Sequence, residues 1–319
     1  MKPFNAAATS AAAPTHLWED AMFTFTEKDF LACTGDRREH LLRYMCRGDN
    51  RTLPHAPQVN SWLLRETAPE LAYNNPFARV AVGQALMAEL QAVRQREADF
   101  WFVSASPDRG AHDPAWGCFD PAPLRAWAHE QLDGLNYVGW IEGAYFGNYF
   151  QEPERPRVSF HFHTIVWNPA RPSVKAVADR IQLNERPCVF GMGASDYRTI
   201  PPAEFEDRVR YMSKGFINEY RLLDGEGHER STVKPRGRVR PGKRPLRPGA
   251  AVKLMLTIGA AGLRDYLIAG GQGVEVMEAA LAQARDQLSR QQAVRQRRIA
   301  RAVWGGQAAA APRRPHCPS

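Results

Sequence analysis

The sequence predicts an α+β fold in which a mainly antiparallel central sheet carries helices on one face. Three runs rich in aromatic and β-branched residues are typical of strands, at 98–107, 136–150 and 158–168. Amphipathic stretches lie between and after these runs. The resulting order is β-α-β-β-α-β-α, and its second and third strands are joined by the turn-like "QEPERPR". A β-hairpin is therefore expected at the centre of the sheet.

Local signals justify each element in turn. The first strand stops at Pro107, and the helix "PAPLRAWAHEQLD" has prolines near its start. The next helix, 171–184, has Ser173 as its predicted N-cap. One or two short strands follow in "PCVFGMGASDYRTI", and residues 201–223 are predicted as a single helix opened by prolines.

The chain is long enough for one large domain or two modest ones. The predicted parts are a flexible leader (1–35), a helical region (36–95), the α+β domain (96–224), a basic loop that cannot be a regular element (225–249), a basic helical region (250–304) and a disordered tail (305–319). No apolar run is long enough to cross a bilayer, and the N-terminus does not resemble a signal peptide. A cytoplasmic protein without a membrane partner is expected.

Composition narrows the classes of site and partner. The five cysteines are scattered and never spaced as C-x-x-C, which argues against a disulfide framework and a cysteine zinc site. The net charge is +8, yet residues 228–249 alone carry eight Lys/Arg against one Glu, and 290–301 add five arginines without an acid. Basic segments this dense indicate a polyanion partner, with nucleic acid first. A solvated basic tail is the alternative.

The stretch "VSFHFHTIVWN" (158–168) contains the first candidate site residues. Side chains alternate along a strand, so His161 and His163 lie on the same face and could share a ligand. If the preceding strand pairs with this one, Glu142 can lie beside them and supply a third ligand. A His-His-carboxylate set suits Mg²⁺ or Mn²⁺ as readily as zinc. Alternatively, the histidines are structural and Glu142 is a surface carboxylate.

The stretch "RVRYMSKGF" contains the second candidate pair. Tyr211 and Lys214 are three residues apart, so on a helix they would share a face about one turn from each other. A tyrosine can act as a covalent nucleophile, and a nearby ammonium favours its phenolate. The same ammonium can offset charge on a phosphate under attack. The spacing alone is also common by chance.

Together these motifs resemble the HUH endonucleases, and most closely the single-tyrosine initiators of rolling-circle replication in plasmids and single-stranded DNA phages. The resemblance rests on "ADFWFVSAS", "HFH" (161–163) and "YMSK" (211–214), and it covers about residues 96–224. It implies an HUH/RRM-like fold. One tyrosine occupies the motif, although Tyr220 is expected on the same helix, which favours the single-tyrosine mechanism.

The resemblance implies a metal-dependent nicking and joining reaction on single-stranded or hairpin origin DNA. His161, His163 and Glu142 would hold Mg²⁺ or Mn²⁺, and Tyr211 would form a 5′-phosphotyrosine link while releasing a 3′-OH primer. Lys214 would steady the phosphate or the phenolate. The chain lacks a G-x-x-x-x-G-K-[ST] motif, so unwinding would require a host helicase, and synthesis a host polymerase.

Seven basic residues are expected to contact DNA phosphates through charge, with an affinity that falls as salt rises. They are Lys234, Arg236, Arg238, Arg240, Lys243, Arg244 and Arg247.

Three other functions fit the same residues. A non-catalytic DNA- or RNA-binding regulator would bind without metal. A transposase or relaxase would use the same chemistry, although relaxases usually carry the tyrosine before the histidines. A metal-dependent hydrolase would use water in place of Tyr211 and form no protein–DNA adduct.

Overall fold

The structure is a computed structural model of the chain. It describes residues 26–64, 70–97, 99–147, 155–168, 171–188, 193–214, 218–223 and 240–308. Most of the predicted leader, basic loop and disordered tail lies outside these ranges; the described end of the leader is helical from Glu27, and the described start of the tail is helical to Ala308.

Eight strands form one mixed sheet, consistent with the α+β class. They are β1 Phe100–Ala105, β2 Ala111–His112, β3 Asn136–Phe146, β4 Arg157–Trp167, β5 Ser195–Thr199, β6 Asn218–Leu223, β7 Arg240–Pro245 and β8 Leu267–Gly270. The main order is β5-β1-β4-β3-β6-β7, with β2 added to β4 and β8 added to β3. All pairs are antiparallel except β3–β6, which is parallel. The predicted hairpin is β3–β4, so it lies at the centre of the sheet.

The α-helices are α1 Glu27–Met45, α2 Ala56–Leu64, α3 Pro76–Arg94, α4 Ala122–Gln131, α5 Arg171–Asn184, α6 Phe205–Ser213, α7 Pro248–Ile258, α8 Leu263–Tyr266 and α9 Gly273–Ala308. Short 3-10 turns connect several elements, including one at Pro114–Trp116.

Helices pack on both faces of the sheet, so the expectation of a single covered face is wrong. In α6, Phe205 contacts Phe100 on the face that carries the two histidines. In α4, Trp127 contacts Phe162 on the opposite face. The reason is that β4 is buried at every position from Val158 to Trp167, and a strand buried on both sides needs cover on both.

Both regions flanking the predicted α+β domain contribute to its structure. From the N-terminal side, α3 lies against the histidine face, where the guanidinium of Arg79 packs 4.8 Å from the ring centroid of Trp140. From the C-terminal side, β8 pairs with β3, which corrects the expectation that residues 250–304 are helical throughout. The central strands are therefore covered by segments from the whole chain.

The segment after α6 also differs from expectation. The predicted helix over 201–223 ends at Ser213, and residues 218–223 form β6 instead. Tyr220 therefore lies on a strand rather than on the helix of Tyr211. Part of the predicted irregular loop is β7, an edge strand whose Pro241 and Pro245 are tolerated because an edge strand need not donate at every position.

Among the described helices, none is both long and apolar enough to span a bilayer.

Candidate metal centre

The β3–β4 register brings the three predicted metal ligands together. Glu142 is the direct cross-strand partner of His161, and Trp140 is the partner of His163. Because His161 and His163 share a face, the carboxylate lies beside both imidazoles. One ligand atom from each residue lies within 4.8 Å of the others, and all three residues are buried. The expected adjacency is confirmed, and Glu142 is not a surface carboxylate.

Hydrogen bonds on the far side of each ring leave one nitrogen of each histidine directed at the cluster. The Nδ1 of His161 donates to the carbonyl oxygen of Ser159 at 3.1 Å, so its Nε2 carries the lone pair. The Nδ1 of His163 lies 2.7 Å from the hydroxyl of Ser104 on β1. These contacts fix the ring orientations as the outer partners of metal-binding histidines do.

Burial keeps both histidines neutral at ordinary pH. It lowers the pKa of His161, outweighing the opposite effects of the Glu142 carboxylate and the bond to Ser159. It lowers the pKa of His163 well below the usual value, and His161 and Lys214 lower it further. Neutral imidazole is the form that binds metals.

The residues present fit a divalent ion. The Nε2 of His163 is buried and lacks a hydrogen-bond partner within the described part of the chain, its distance to the Glu142 Oε2 being 3.7 Å. Unpaired buried polar atoms are few in native proteins, and a bound water or ion is one explanation for such an atom. Two ligands of one Mg²⁺ ion, each about 2.1 Å away, lie at most about 4.2 Å apart, so a small side-chain movement closes the cluster. The cluster could therefore hold a divalent metal ion, and its geometry is compatible with more than one such ion.

Lys214 supplies a positive charge at the same carboxylate. Its Nζ lies 2.5 Å from Oε2 of Glu142, and both side chains are buried. Burial opposes its charge, but Glu142 and Tyr211 outweigh that effect and the pKa of Lys214 lies above its usual value. The ammonium thus neutralises Glu142 and borders the place where a metal would bind.

Tyr211 completes the cluster. Its ring centroid lies 5.3 Å from that of His163 and 3.6 Å from the Nζ of Lys214. Lys214 is the C-cap of α6 and has an extended backbone, so the pair does not share a helix face as expected. The lysine side chain instead folds back over the tyrosine. The predicted proximity is confirmed, but by the helix end and not by helical spacing.

Sequence analysis did not identify Arg79, which supports this arrangement from α3. Its buried guanidinium packs over the rings of Tyr73 and Trp140 and donates to the backbone carbonyl of Lys214. Tyr73 in turn donates to the carbonyl of Ile141, next to Glu142, at 3.0 Å. The N-terminal helical region therefore positions the backbone on both sides of the Glu142–Lys214 pair.

The predicted DNA-contacting residues are only partly described. Lys234, Arg236 and Arg238 lie outside the described ranges, as do the side chains of Arg240 and Lys243 on β7. Arg244 and Arg247 are described, and both bind the fully buried carboxylate of Glu219 on β6.

Comparison of the chain with models of known protein families gives no match, and comparison with curated proteins and with solved structures gives no significant match.

Proposed function

We propose that this chain is a metal-dependent DNA nicking and joining endonuclease of the HUH type that initiates rolling-circle replication of a plasmid or phage. The observation that carries the proposal is the convergence of a possible buried metal-binding triad, a buried lysine and a half-buried tyrosine in one cluster. The Tyr211 ring lies beside His163, and the Lys214 ammonium lies between that ring and Glu142.

The cluster contains the groups that a covalent strand transfer requires. A divalent ion, when bound by His161, His163 and Glu142, supplies charge neutralisation at the scissile phosphate. Mg²⁺ or Mn²⁺ is the ion we propose for this role, since each is bound by few protein ligands and keeps positions open for the oxygens of a substrate phosphate.

Tyr211 is the nucleophile in this reaction. Its phenolic oxygen loses its proton and bonds to phosphorus. The bond from phosphorus to the 3′ oxygen breaks, and that oxygen gains a proton to leave as the 3′-OH. Lys214 remains protonated, so it stabilises the phenolate and does not act as the base. The reverse attack by a 3′-OH on the phosphotyrosine rejoins the strand without consuming a nucleotide.

The partner is single-stranded or hairpin origin DNA. The chain's positive charge is concentrated in residues 228–249 and 290–301, which suits a polyanion. The released 3′-OH primes synthesis by a host polymerase, and a host helicase unwinds the template.

The test is to incubate the protein with single-stranded DNA from its candidate origins and Mn²⁺, and to analyse the products on a denaturing gel. We expect a covalent protein–DNA band that requires the metal and is lost in Tyr211→Phe.

Tyr220→Phe is the matched control, because burial and the nearby Tyr211 and Glu142 raise the pKa of Tyr220 well above that of a free phenol. A phenolate is disfavoured there, so this variant should still form the adduct. Cleavage that persists in Tyr211→Phe without an adduct would indicate a hydrolase. Salt-sensitive binding without any cleavage would indicate a non-catalytic DNA-binding protein.

A further inference from the structure

Trp116 is an exposed aromatic side chain at the rim of the sheet. It lies in the 3-10 turn after β2 and is 67% exposed, whereas the other large exposed apolar side chains that the structure describes are aliphatic. A lone exposed apolar residue needs no explanation. What distinguishes Trp116 is the structure built around it.

Charged and polar groups fix the indole in place. The guanidinium of Arg157, the first residue of β4, lies 4.9 Å from the Trp116 ring centroid. The buried carboxylate of Asp113 lies 3.6 Å from Arg157 and also accepts from the backbone N–H of Ala115 at 2.9 Å. His112 packs edge-on to the indole. One carboxylate therefore holds both the turn that carries Trp116 and the arginine that packs against it.

This assembly meets the strand of the candidate metal centre at its first residues, where Arg157 points to the face of His161 while His112 lies opposite Val158 and packs against Phe160 on the other face. Arg157 is four residues before His161 and two before Ser159, so all three side chains point to one face. At about 3.3 Å per residue, Arg157 lies about 13 Å from His161 along the strand. A single DNA strand with one phosphate at the cluster that also passes over the first residues of β4 would reach Trp116 within a few nucleotides.

An aromatic ring that packs against a guanidinium is well suited to stack with a nucleobase. Bases stack on aromatic side chains irrespective of their sequence, and arginine adds a cation–π contribution while attracting the backbone. Arg155, two residues before Arg157, is exposed and adds positive charge to the start of β4. A protein partner would require a wider apolar patch than one indole provides.

We propose that Trp116 and Arg157 form a stacking platform for one base of single-stranded DNA, a few nucleotides from the scissile phosphate. The platform rests on the proposed function, because it assigns a position on the same substrate. It would orient the strand in the site without reading its sequence.

The test measures the affinity of the metal-free protein for two fluorescein-labelled oligonucleotides by fluorescence anisotropy. One is oligothymidylate, and the other has the same length with abasic sugars throughout. Stacking of one base is worth about 1–3 kcal/mol, which corresponds to roughly 5- to 150-fold in affinity. We expect Trp116→Ala to weaken oligothymidylate binding by that factor and to leave abasic binding unchanged, while Trp116→Phe retains part of the preference.

Leu183→Ala is the matched control, because Leu183 is 84% exposed and lies on α5. It should change neither affinity. Equal loss on both oligonucleotides in Trp116→Ala, no loss on either, or no binding of oligothymidylate by the wild-type protein would overturn the platform. Failure of the Tyr211 adduct assay alongside a base-specific loss in Trp116→Ala would instead refute the nicking function and keep the platform.

Discussion

Two buried carboxylates on paired strands, Glu142 on β3 and Glu219 on β6, are satisfied in different ways. Glu219 on β6 accepts from the side chains of Arg244 and Arg247, and from the backbone N–H of Arg247 at 3.2 Å. Burial raises its pKa, but these donors outweigh that effect and hold the pKa of Glu219 below the usual carboxyl value. Glu142 has one lysine as a cation and two neutral histidines beside it.

The difference shows how a structural carboxylate can be told from a candidate ligand. Glu219 is surrounded by fixed donors, so an added metal would have to displace arginines that cannot lose their charge. At Glu142 the neighbours on one side are neutral imidazoles: the Nε2 of His161 is an acceptor because its Nδ1 donates to Ser159, and the Nε2 of His163 lacks a hydrogen-bond partner in the described chain. An acceptor beside the Glu142 carboxylate favours the binding of a cation there. The donors around Glu219 already satisfy that carboxylate.

Removal of the ammonium should have the largest effect. In Lys214→Met, Glu142 becomes a buried charge without its cation, and loss of one partner of a buried pair costs about 3–5 kcal/mol. We expect urea denaturation in EDTA to show a decrease in the free energy of unfolding of that size. Addition of Mn²⁺ should restore a larger part of the stability in the variant than it adds to the wild type, because the metal replaces the missing charge.

Lys175→Met is the control for that measurement, since Lys175 forms an exposed pair with Asp179 on α5. Its stability should match the wild type with or without Mn²⁺. A Lys214→Met protein as stable as the wild type in EDTA would contradict a stabilising role for the pair between Lys214 and Glu142.

The two carboxylates can be compared directly through metal binding. In Glu142→Gln a ligand is lost and the buried Lys214 ammonium is left to repel a cation, so the affinity for Mn²⁺ should fall about 100-fold or more. Glu219→Gln removes the same charge from a site without histidines and should leave that affinity unchanged. Isothermal titration calorimetry on both variants, below their unfolding temperatures, measures this contrast, and equal losses would refute the metal centre.

Sequence reasoning could identify the metal cluster because its geometry follows from alternation along paired strands. His161 and His163 share a face by periodicity alone, and a hairpin between two long apolar runs was enough to suggest Glu142 as their neighbour. The register that sets Glu142 opposite His161 could not be derived, since it depends on a connecting turn whose conformation the sequence does not define.

Other elements could not be predicted, because their local sequence does not indicate their structure. Strand β8 has only four residues, too few for a helical and an extended pattern to be distinguished, and β3 recruits it through tertiary pairing. The prolines in β7 predicted a loop, because a strand tolerates proline mainly at the edge of a sheet and the sequence does not show which strand is at the edge. Arg79 looks like any surface arginine on an amphipathic helix, and only packing against Tyr73 and Trp140 reveals that it is buried.

The smallest predicted effect concerns a residue that orients a proposed metal ligand and is not itself a ligand. Ser104→Ala removes the hydroxyl 2.7 Å from Nδ1 of His163 and with it the contact that orients the ring. Loss of such an outer partner typically weakens metal binding about 10- to 100-fold, and we expect the lower value because His163 remains packed against Phe102. Ser106→Ala is the matched control, since Ser106 directly follows β1 and its hydroxyl lies 3.2 Å from that of Ser159 rather than beside a histidine ring. Calorimetry with Mn²⁺ should separate the two variants. An equal affinity in both would mean that Ser104 does not set the ring orientation and that strand packing alone holds His163 in place.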